Sequence, residues 1–332
     1  MSELIRMEHI SKEFPGVKAL DDVSFSLNAG EVHALVGENG AGKSTLMKVL
    51  TGVYSKDAGQ VYVRGQEVHI RNVRDSQALG IVMIHQELNL MNHLTVAQNI
   101  FIGREQRGKA RLFLKDAVLE EKTAELMRRL NADIDPHTKV GNLSVAKQQM
   151  VEIAKALSYN SEVLIMDEPT ASLTDAEIDD LFRVIRLLRQ EGKGIIYISH
   201  RLDELKRITD RITVMRDGCY IDTLPTDGVE TRQIINLMVG RELTAEKSNR
   251  KVPEDTPVVL EVRGISRGRQ VKDVSFQVRR GEILGIAGLM GAGRTETARA
   301  IYGADKRDAG EVLVNGQPVR IDTPVDAVRH GI

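Results

Sequence analysis

Cysteine is nearly absent: Cys219 is the only one in the chain. No intrachain disulfide can form, and nothing points to an oxidising compartment. Long apolar runs are absent as well. No stretch approaches the ~18 uninterrupted apolar residues of a spanning helix. The first residues, Met1-Ser2-Glu3-Leu4-Ile5-Arg6, hold no apolar signal core. A soluble chain is therefore expected, one that works on a membrane only from the side and through partners. An excess of one charge is also missing: 46 basic residues face 47 acidic ones, for a net charge of −1. That excludes bulk attraction to nucleic acid or anionic lipid and leaves room only for a local basic patch. No Asn-Lys-x-Asp segment occurs, which argues against a guanine-reading GTPase. What is present is a chain of 332 residues, 42% hydrophobic, with material for about two globular domains.

A phosphate-loop pattern is present twice. Gly37-Glu38-Asn39-Gly40-Ala41-Gly42-Lys43-Ser44-Thr45 is a full G-x-x-x-x-G-K-S match. Gly288-Leu289-Met290-Gly291-Ala292-Gly293-Arg294-Thr295 is the same loop with Arg in place of Lys, 251 residues on. The offset holds elsewhere. Asp22-Val23-Ser24-Phe25 matches Asp273-Val274-Ser275-Phe276, Asp57-Ala58-Gly59 matches Asp308-Ala309-Gly310, and Gly80-Ile81 matches Gly331-Ile332. One register held over so many pairs indicates a tandem duplication. Residues 1–243 are expected to form a complete first domain. Residues 244–257, polar with Pro253 and Pro257, read as a linker. Residues 258–332 read as the N-terminal fragment of a degenerate second copy, because Ile332 stands where Ile81 stands and the residues after Ile81 have no counterpart. The expectation is a truncated chain whose strands from about Val258 onward lack sheet partners and are unstable.

The pattern around the first loop is α/β. Val32-His33-Ala34-Leu35-Val36 is a short, mostly apolar strand leading into the loop. Residues 44–50 follow as a helix with Leu46, Val49 and Leu50 on one side. Val163-Leu164-Ile165-Met166 and Ile195-Ile196-Tyr197-Ile198 are continuous apolar strands suited to a parallel sheet. Between them, residues 175–191 place Ile178, Leu181, Phe182, Ile185 and Leu188 on one helical face, which completes a βαβ unit. Residues 92–142 read as an inserted helical lobe.

The glycines let backbone N–H groups turn around phosphate oxygens at the positive end of the next helix. Lys43 would reach the β- and γ-phosphates and Ser44 would hold Mg²⁺. Asp167 and Glu168 end a buried strand, where ligands of such sheets bind. Asp167 would assist the metal through water, and Glu168 would polarise the attacking water. His200 closes the next strand, either as a solvent-facing histidine or as a contact to the γ-phosphate. Gln86 is either a plain loop residue or a ligand of metal or water.

These spacings resemble those of the ATP-binding cassette family across the whole first half. Met166-Asp167-Glu168-Pro169-Thr170 is similar to the family's second phosphate motif, Gln86 to its glutamine loop and His200 to its switch histidine. Phe14 sits where the family stacks an aromatic on adenine; the alternative is a core Phe beside Ile10. Leu143-Ser144-Val145-Ala146-Lys147-Gln148-Gln149 occupies the signature position, normally Leu-Ser-Gly-Gly-Gln, and departs from it at Val145, Ala146 and Lys147. Within the family, Phe14-Pro15-Gly16-Val17-Lys18-Ala19-Leu20 and Leu237-Met238-Val239-Gly240-Arg241-Glu242-Leu243 resemble the fused double ATPases of bacterial monosaccharide importers.

The resemblance implies a P-loop NTPase with a mixed sheet core, an antiparallel β subdomain and a helical subdomain, using ATP and Mg²⁺. It implies a peripheral protein on the cytoplasmic face of the cell membrane. Its partners would be an integral-membrane sugar permease, indirectly an external sugar-binding protein, and a second cassette half, with no nucleic acid. In this family each ATP is clamped between one half's phosphate loop and the other half's signature, Ser144 here. The intact loop with Lys43 would then need a second signature, while the altered signature would face the altered loop with Arg294. One hydrolytic and one structural site are expected, with ATP bound at Lys43 but poorly turned over by this chain. The rival readings are a soluble cassette ATPase acting on ribosome or DNA, and a nucleotide-binding regulator. The first expects a long charged linker or a basic surface. Glu168 and His200 speak against the second.

Overall fold

The computed structural model describes residues 2–104, 116–241, 252–253, 255–288 and 291–332. The chain divides into two units, Met1–Leu243 and Thr244–Ile332. Residues 105–115 of the expected helical lobe, residues 242–251 and 254 around the expected linker, and Leu289 and Met290 of the second glycine loop lie outside the described residues.

In the first unit, β1 (Glu3–Phe14) pairs antiparallel with β2 (Val17–Asn28). On β2, Val23, Phe25 and Leu27 are buried and their neighbours are not, the two-residue period of a sheet with one dry face. β3 (Val32–Val36) is buried at all five positions, and α1 (Lys43–Leu50) follows the glycine loop with Leu46, Met47, Val49 and Leu50 inside. β4 (Ala58–Val63) and β5 (Gln66–Glu67) return antiparallel beside β1. Then come α2 (Val73–Ala78), β6 (Ile81–Ile84), α3 (Val96–Phe101), α4 (Asp116–Arg129), the 3₁₀ turn Val140–Asn142 and α5 (Val145–Leu157). The helical lobe reaches past residue 142, because α5 packs on both α3 and α4. The unit closes with β7 (Val163–Asp167), α6 (Asp175–Gln190), β8 (Gly194–Ile198), α7 (Leu202–Ile208), β9 (Arg211–Arg216), β10 (Cys219–Pro225) and α8 (Thr231–Val239).

The ten strands form one sheet in the order β5-β4-β1-β2-β10-β9-β3-β8-β7-β6. From β9 to β6 neighbours run parallel. β10 is antiparallel to β9 and meets β2 at the single pair Cys219↔Asp21. The parallel part has two cores because its strands alternate. Leu164 and Met166 join one cluster, with Phe182 and Tyr197, while Val163 and Ile165 join the other, with Leu46 and Met47. Both faces are apolar, so these strands read as unbroken hydrophobic runs. The β7–α6–β8 unit forms as its pattern required, with Ile178, Leu181, Phe182, Ile185 and Leu188 buried.

In the second unit, β11 (Val258–Arg267), β12 (Val271–Arg279), α9 (Arg294–Ile301), β13 (Ala309–Val314), β14 (Gln317–Val319) and α10 (Pro324–Arg329) follow in turn. The sheet order β12-β11-β13-β14 repeats β2-β1-β4-β5. This corrects the expectation that strands from Val258 onward lack partners, since four of them pair among themselves. The segment without a strand partner among the described residues is 283–287, the counterpart of β3. There Ile283 is 98% exposed and Ile286 53%. In the first unit, β3 is held by β8 and β9.

A second difference lies in the first hairpin. Met7 pairs with Phe25 and Val262 with Phe276, and Lys12 with Leu20 and Arg267 with Val271, so up to Lys12 the offset is 255 rather than 251. Residues 13–18 are replaced by 268–269. The second hairpin is four residues shorter and has no counterpart of Phe14.

Candidate functional site

At its first and last glycines, Gly37 and Gly42, the loop is held by backbone that leaves no room for a side chain. A Cβ on Gly42, at φ +95°, would sit 2.7 Å from the Ala19 carbonyl oxygen, and one on Gly37 would sit 2.3 Å from that of Met215. Gly293 in the second unit repeats the Gly42 arrangement, at φ +81° and 2.8 Å from the Gln270 carbonyl. Gly42 caps α1, whose first turn carries no acidic residue. The positive end of the helix therefore faces the loop unopposed. Lys43 folds back to donate to the carbonyls of Gly37 at 2.8 Å and Glu38 at 3.0 Å. Burial pulls its ammonium below the usual lysine range, against the pull of Glu168 and Asp167.

Opposite the loop, β7 delivers Asp167 and Glu168. The cleft between them has a volume of about 420 Å³ and is lined by Asn39, Gly40, Ala41, Gly42, Lys43, Ser44, Thr45, Gln86, Asp167 and Glu168, among others. Burial, then the charge of Glu168, holds the Asp167 carboxyl above its ordinary range, with His85, Lys43 and Lys48 opposing. Gln86 Nε2 donates to Glu168 Oε2 at 3.0 Å, and His200 Nδ1 lies 2.9 Å from Oε1. Two residues from two other loops, Gln86 and His200, thus meet at the Glu168 carboxylate. Glu168 itself is at φ +46°, a left-handed conformation that costs a non-glycine residue on the order of 1 kcal/mol or more. Its N–H donates to the Ile198 carbonyl at 2.9 Å, which ties the turn to β8. No sequence signal announced this geometry.

Not every expected site residue joins this cleft. Phe14 is half-buried, edge-on to Tyr54 with ring centroids 5.2 Å apart, and Lys12 Nζ lies 5.5 Å from its ring. It is neither among the residues lining the cleft nor in the core cluster that holds Ile10. Ser144 is exposed at the head of α5, where its hydroxyl accepts from Lys147 N; it lines no part of the cleft. Conversely, Val17, Lys18 and Ala19 on β2 and Asp217 and Gly218 between β9 and β10 line the cleft without having been anticipated. Asp217-Gly218 was readable as a tight turn. That it would abut Ala41, with Gly218 N donating to the Ala41 carbonyl, was not.

The donors in the cleft suit a hard divalent cation. The Ser44 hydroxyl, the Asp167 carboxylate and the Gln86 amide oxygen are all oxygen ligands. Among the described residues no group of three or more His, Cys, Asp or Glu could hold a metal alone. Mg²⁺ takes one or two carboxylates and completes its shell with water and phosphate, which the oxygens of Ser44, Asp167 and Gln86 suit.

A glycine loop at the head of α1, facing carboxylates at the end of a buried parallel strand, defines a phosphate-loop nucleotide-binding fold. The chain belongs to the ABC transporter family, whose family model matches residues 20–171 and 271–332. It is 60% identical over 332 residues to a putative ribose/galactose/methyl galactoside import ATP-binding protein 2 of Burkholderia cenocepacia (strain HI2424), covering 99% of this chain and 64% of that relative. A like-named protein of Geobacillus kaustophilus (strain HTA426) is 49% identical over 334 residues, covering 100% of this chain and 66% of its own length. The chain thus spans about two thirds of these relatives. Among solved structures, the ADP conformation of an ATP-binding cassette of an ABC transporter superposes with a TM-score of 0.62 at 30% identity. It covers 72% of this chain and 96% of its own.

Proposed function

We propose that the first unit binds Mg-ATP in the phosphate-loop cleft and hydrolyses it to energise import of a monosaccharide through a membrane permease. The observation that carries this reading is Glu168, held by Gln86 and His200 at the mouth of a cleft lined by Lys43 and Ser44. Lys43 and the loop N–H groups bind the phosphates. Ser44, Asp167 and Gln86 hold Mg²⁺, which supplies charge neutralisation when bound. Glu168 accepts a proton from the attacking water, and His200 orients that water or the γ-phosphate. The names of the relatives support ribose or galactose as the class of cargo. No described helix is long and apolar enough to cross a membrane, which suits a peripheral subunit at the cytoplasmic face, reaching the external sugar-binding protein only through the permease.

The second unit's altered loop belongs to the structural rather than the hydrolytic site in this proposal. The unit's loop carries Arg294 for Lys43, its hairpin lacks the Phe14 segment, and the segment feeding its loop has no strand partner among the described residues. The chain has one signature segment, on the first unit itself, so a second cassette half must supply Ser144's equivalent to the bound ATP. Purified chain should bind Mg-ATP yet turn it over only near background. Glu168→Gln should keep binding within about twofold, because it removes charge but no phosphate ligand. Substantial turnover that disappears in Glu168→Gln would mean that two copies pair and that Val145-Ala146-Lys147 works as a signature.

A further inference from the structure

Behind the cleft lies a buried carboxylate that the proposed hydrolysis does not use. Glu204, in the first turn of α7, is 4% exposed. Its Oε2 accepts from Tyr197 Oη at 2.8 Å, Thr170 Oγ1 at 2.9 Å and Ser199 Oγ at 3.3 Å. Its Oε1 lies 2.8 Å from Arg201 Nη1, an ion pair without hydrogen-bond alignment. Removing a carboxylate from water is costly unless donors replace the solvent. Three hydroxyls and a guanidinium do so here.

The origin of those donors is informative. Thr170 stands two residues beyond Glu168, in a turn closed by Ala171 N donating to the Glu168 carbonyl. Ser199 immediately precedes His200, and its Oγ also accepts from Arg201 N at 3.0 Å. One carboxylate oxygen therefore gathers the loop that carries Glu168 and the loop that carries His200. Tyr197 fixes it to the middle of β8. Burial, followed by the Glu204 charge, holds the Tyr197 phenol far above its usual range, so it remains a donor. Neither loop is regular structure, and Glu168 has a strained backbone that its surroundings must enforce.

We propose that Glu204 is a positioning residue that sets the Glu168–His200 contact by clamping Thr170 and Ser199 to a common point. This rests on the hydrolytic reading of the cleft for its functional meaning, though not for its test.

The test uses the whole chain, with the His200 imidazole signals assigned by their loss in His200→Gln. In the wild-type background Glu168→Gln moves those signals, because it removes a charge next to Nδ1. In Glu204→Gln the signals should already be displaced, and adding Glu168→Gln should move them less than about half as far, as for a coupled pair. Mg-ATP affinity in the same samples should stay within about twofold, because Glu204 lies outside the phosphate ligands. If Glu204→Gln does not fold, Thr170→Val and Ser199→Ala each delete one donor and keep the carboxylate. At least one of them should displace His200 in the same direction. A folded Glu204→Gln, or both donor variants, in which His200 keeps its position and its full response to Glu168→Gln overturns the proposal. Loss of Mg-ATP binding by wild-type chain would instead overturn the hydrolytic reading and leave the His200 result to stand by itself.

Discussion

Gly42 illustrates how much of the site depends on single atoms. Its positive φ and the Ala19 carbonyl 2.7 Å from a would-be Cβ leave no low-energy place for a methyl group. Gly42→Ala should therefore cost on the order of 1–3 kcal/mol of stability from backbone strain alone. It should also weaken Mg-ATP binding, read by titration alongside a denaturant curve. Unchanged stability and affinity would mean the loop can rearrange. That Lys43, Ser44, Asp167 and Glu168 line one cleft was legible from spacing, because a glycine loop at a strand–loop–helix junction and the end of a neighbouring parallel strand meet on the same edge of such a sheet. The left-handed turn at Glu168 was not legible, because Glu has no preference for it and only the link to Ile198 and the side-chain contacts impose it. Nor was the place of Phe14, which turns on a neighbour distant in the chain, Tyr54.

Between elements, a buried polar seam joins the two parts of the large sheet. His33 on β3 is 1% exposed and stacks on Phe25 at 4.5 Å. Its Nδ1 lies 2.7 Å from the Ser26 carbonyl and its Nε2 2.7 Å from Thr213 Oγ1 on β9, which in turn reaches Thr223 on β10. Burial, then Arg211, pushes its pKa down to about 4, with Glu31 and the Ser26 carbonyl opposing. The unfolded chain, near the ordinary value of about 6.5, binds the proton more readily. His33 thus stabilises the fold fully above about pH 6.5, and that contribution is lost as pH falls toward 4, at about 1.4 kcal/mol for each tenfold difference in proton affinity between the two states. The stability gap between wild type and His33→Gln should shrink from pH 7 to pH 4.5. Parallel denaturation curves across that range would refute the assignment. At this scale the βαβ unit was legible because two cores enforce simple periodicities. The strand order was not, because β8 enters between β3 and β7 from far along the chain. The four-residue shortening of the second hairpin was in the sequence, but the register read from Asp22 onward passed over it. Segment 283–287, exposed and without a strand partner among the described residues, should exchange its amides far faster than β11 and β13, which protect each other. Protection equal to that of β11 would mean that the segment is paired after all.

For the whole molecule the duplication is more informative than either half. Both units repeat the strand order of the antiparallel sheet and the carbonyl packed against the last loop glycine, Ala19 on Gly42 and Gln270 on Gly293. They differ where nucleotide chemistry would be done. The first has Lys43, the Phe14 segment and a strand buried on both faces; the second has Arg294, a shortened hairpin and an exposed segment. Length suggested about two domains and the two loops differ in sequence, whereas the structural form of that difference needed the paired registers. The central claim is one competent phosphate site per chain. Calorimetric titration of the chain with Mg-ATP tests it most directly. One nucleotide should bind per chain, with binding abolished by Lys43→Ala and unaffected by Arg294→Ala. Two nucleotides per chain, or a site lost in Arg294→Ala and retained in Lys43→Ala, would contradict it.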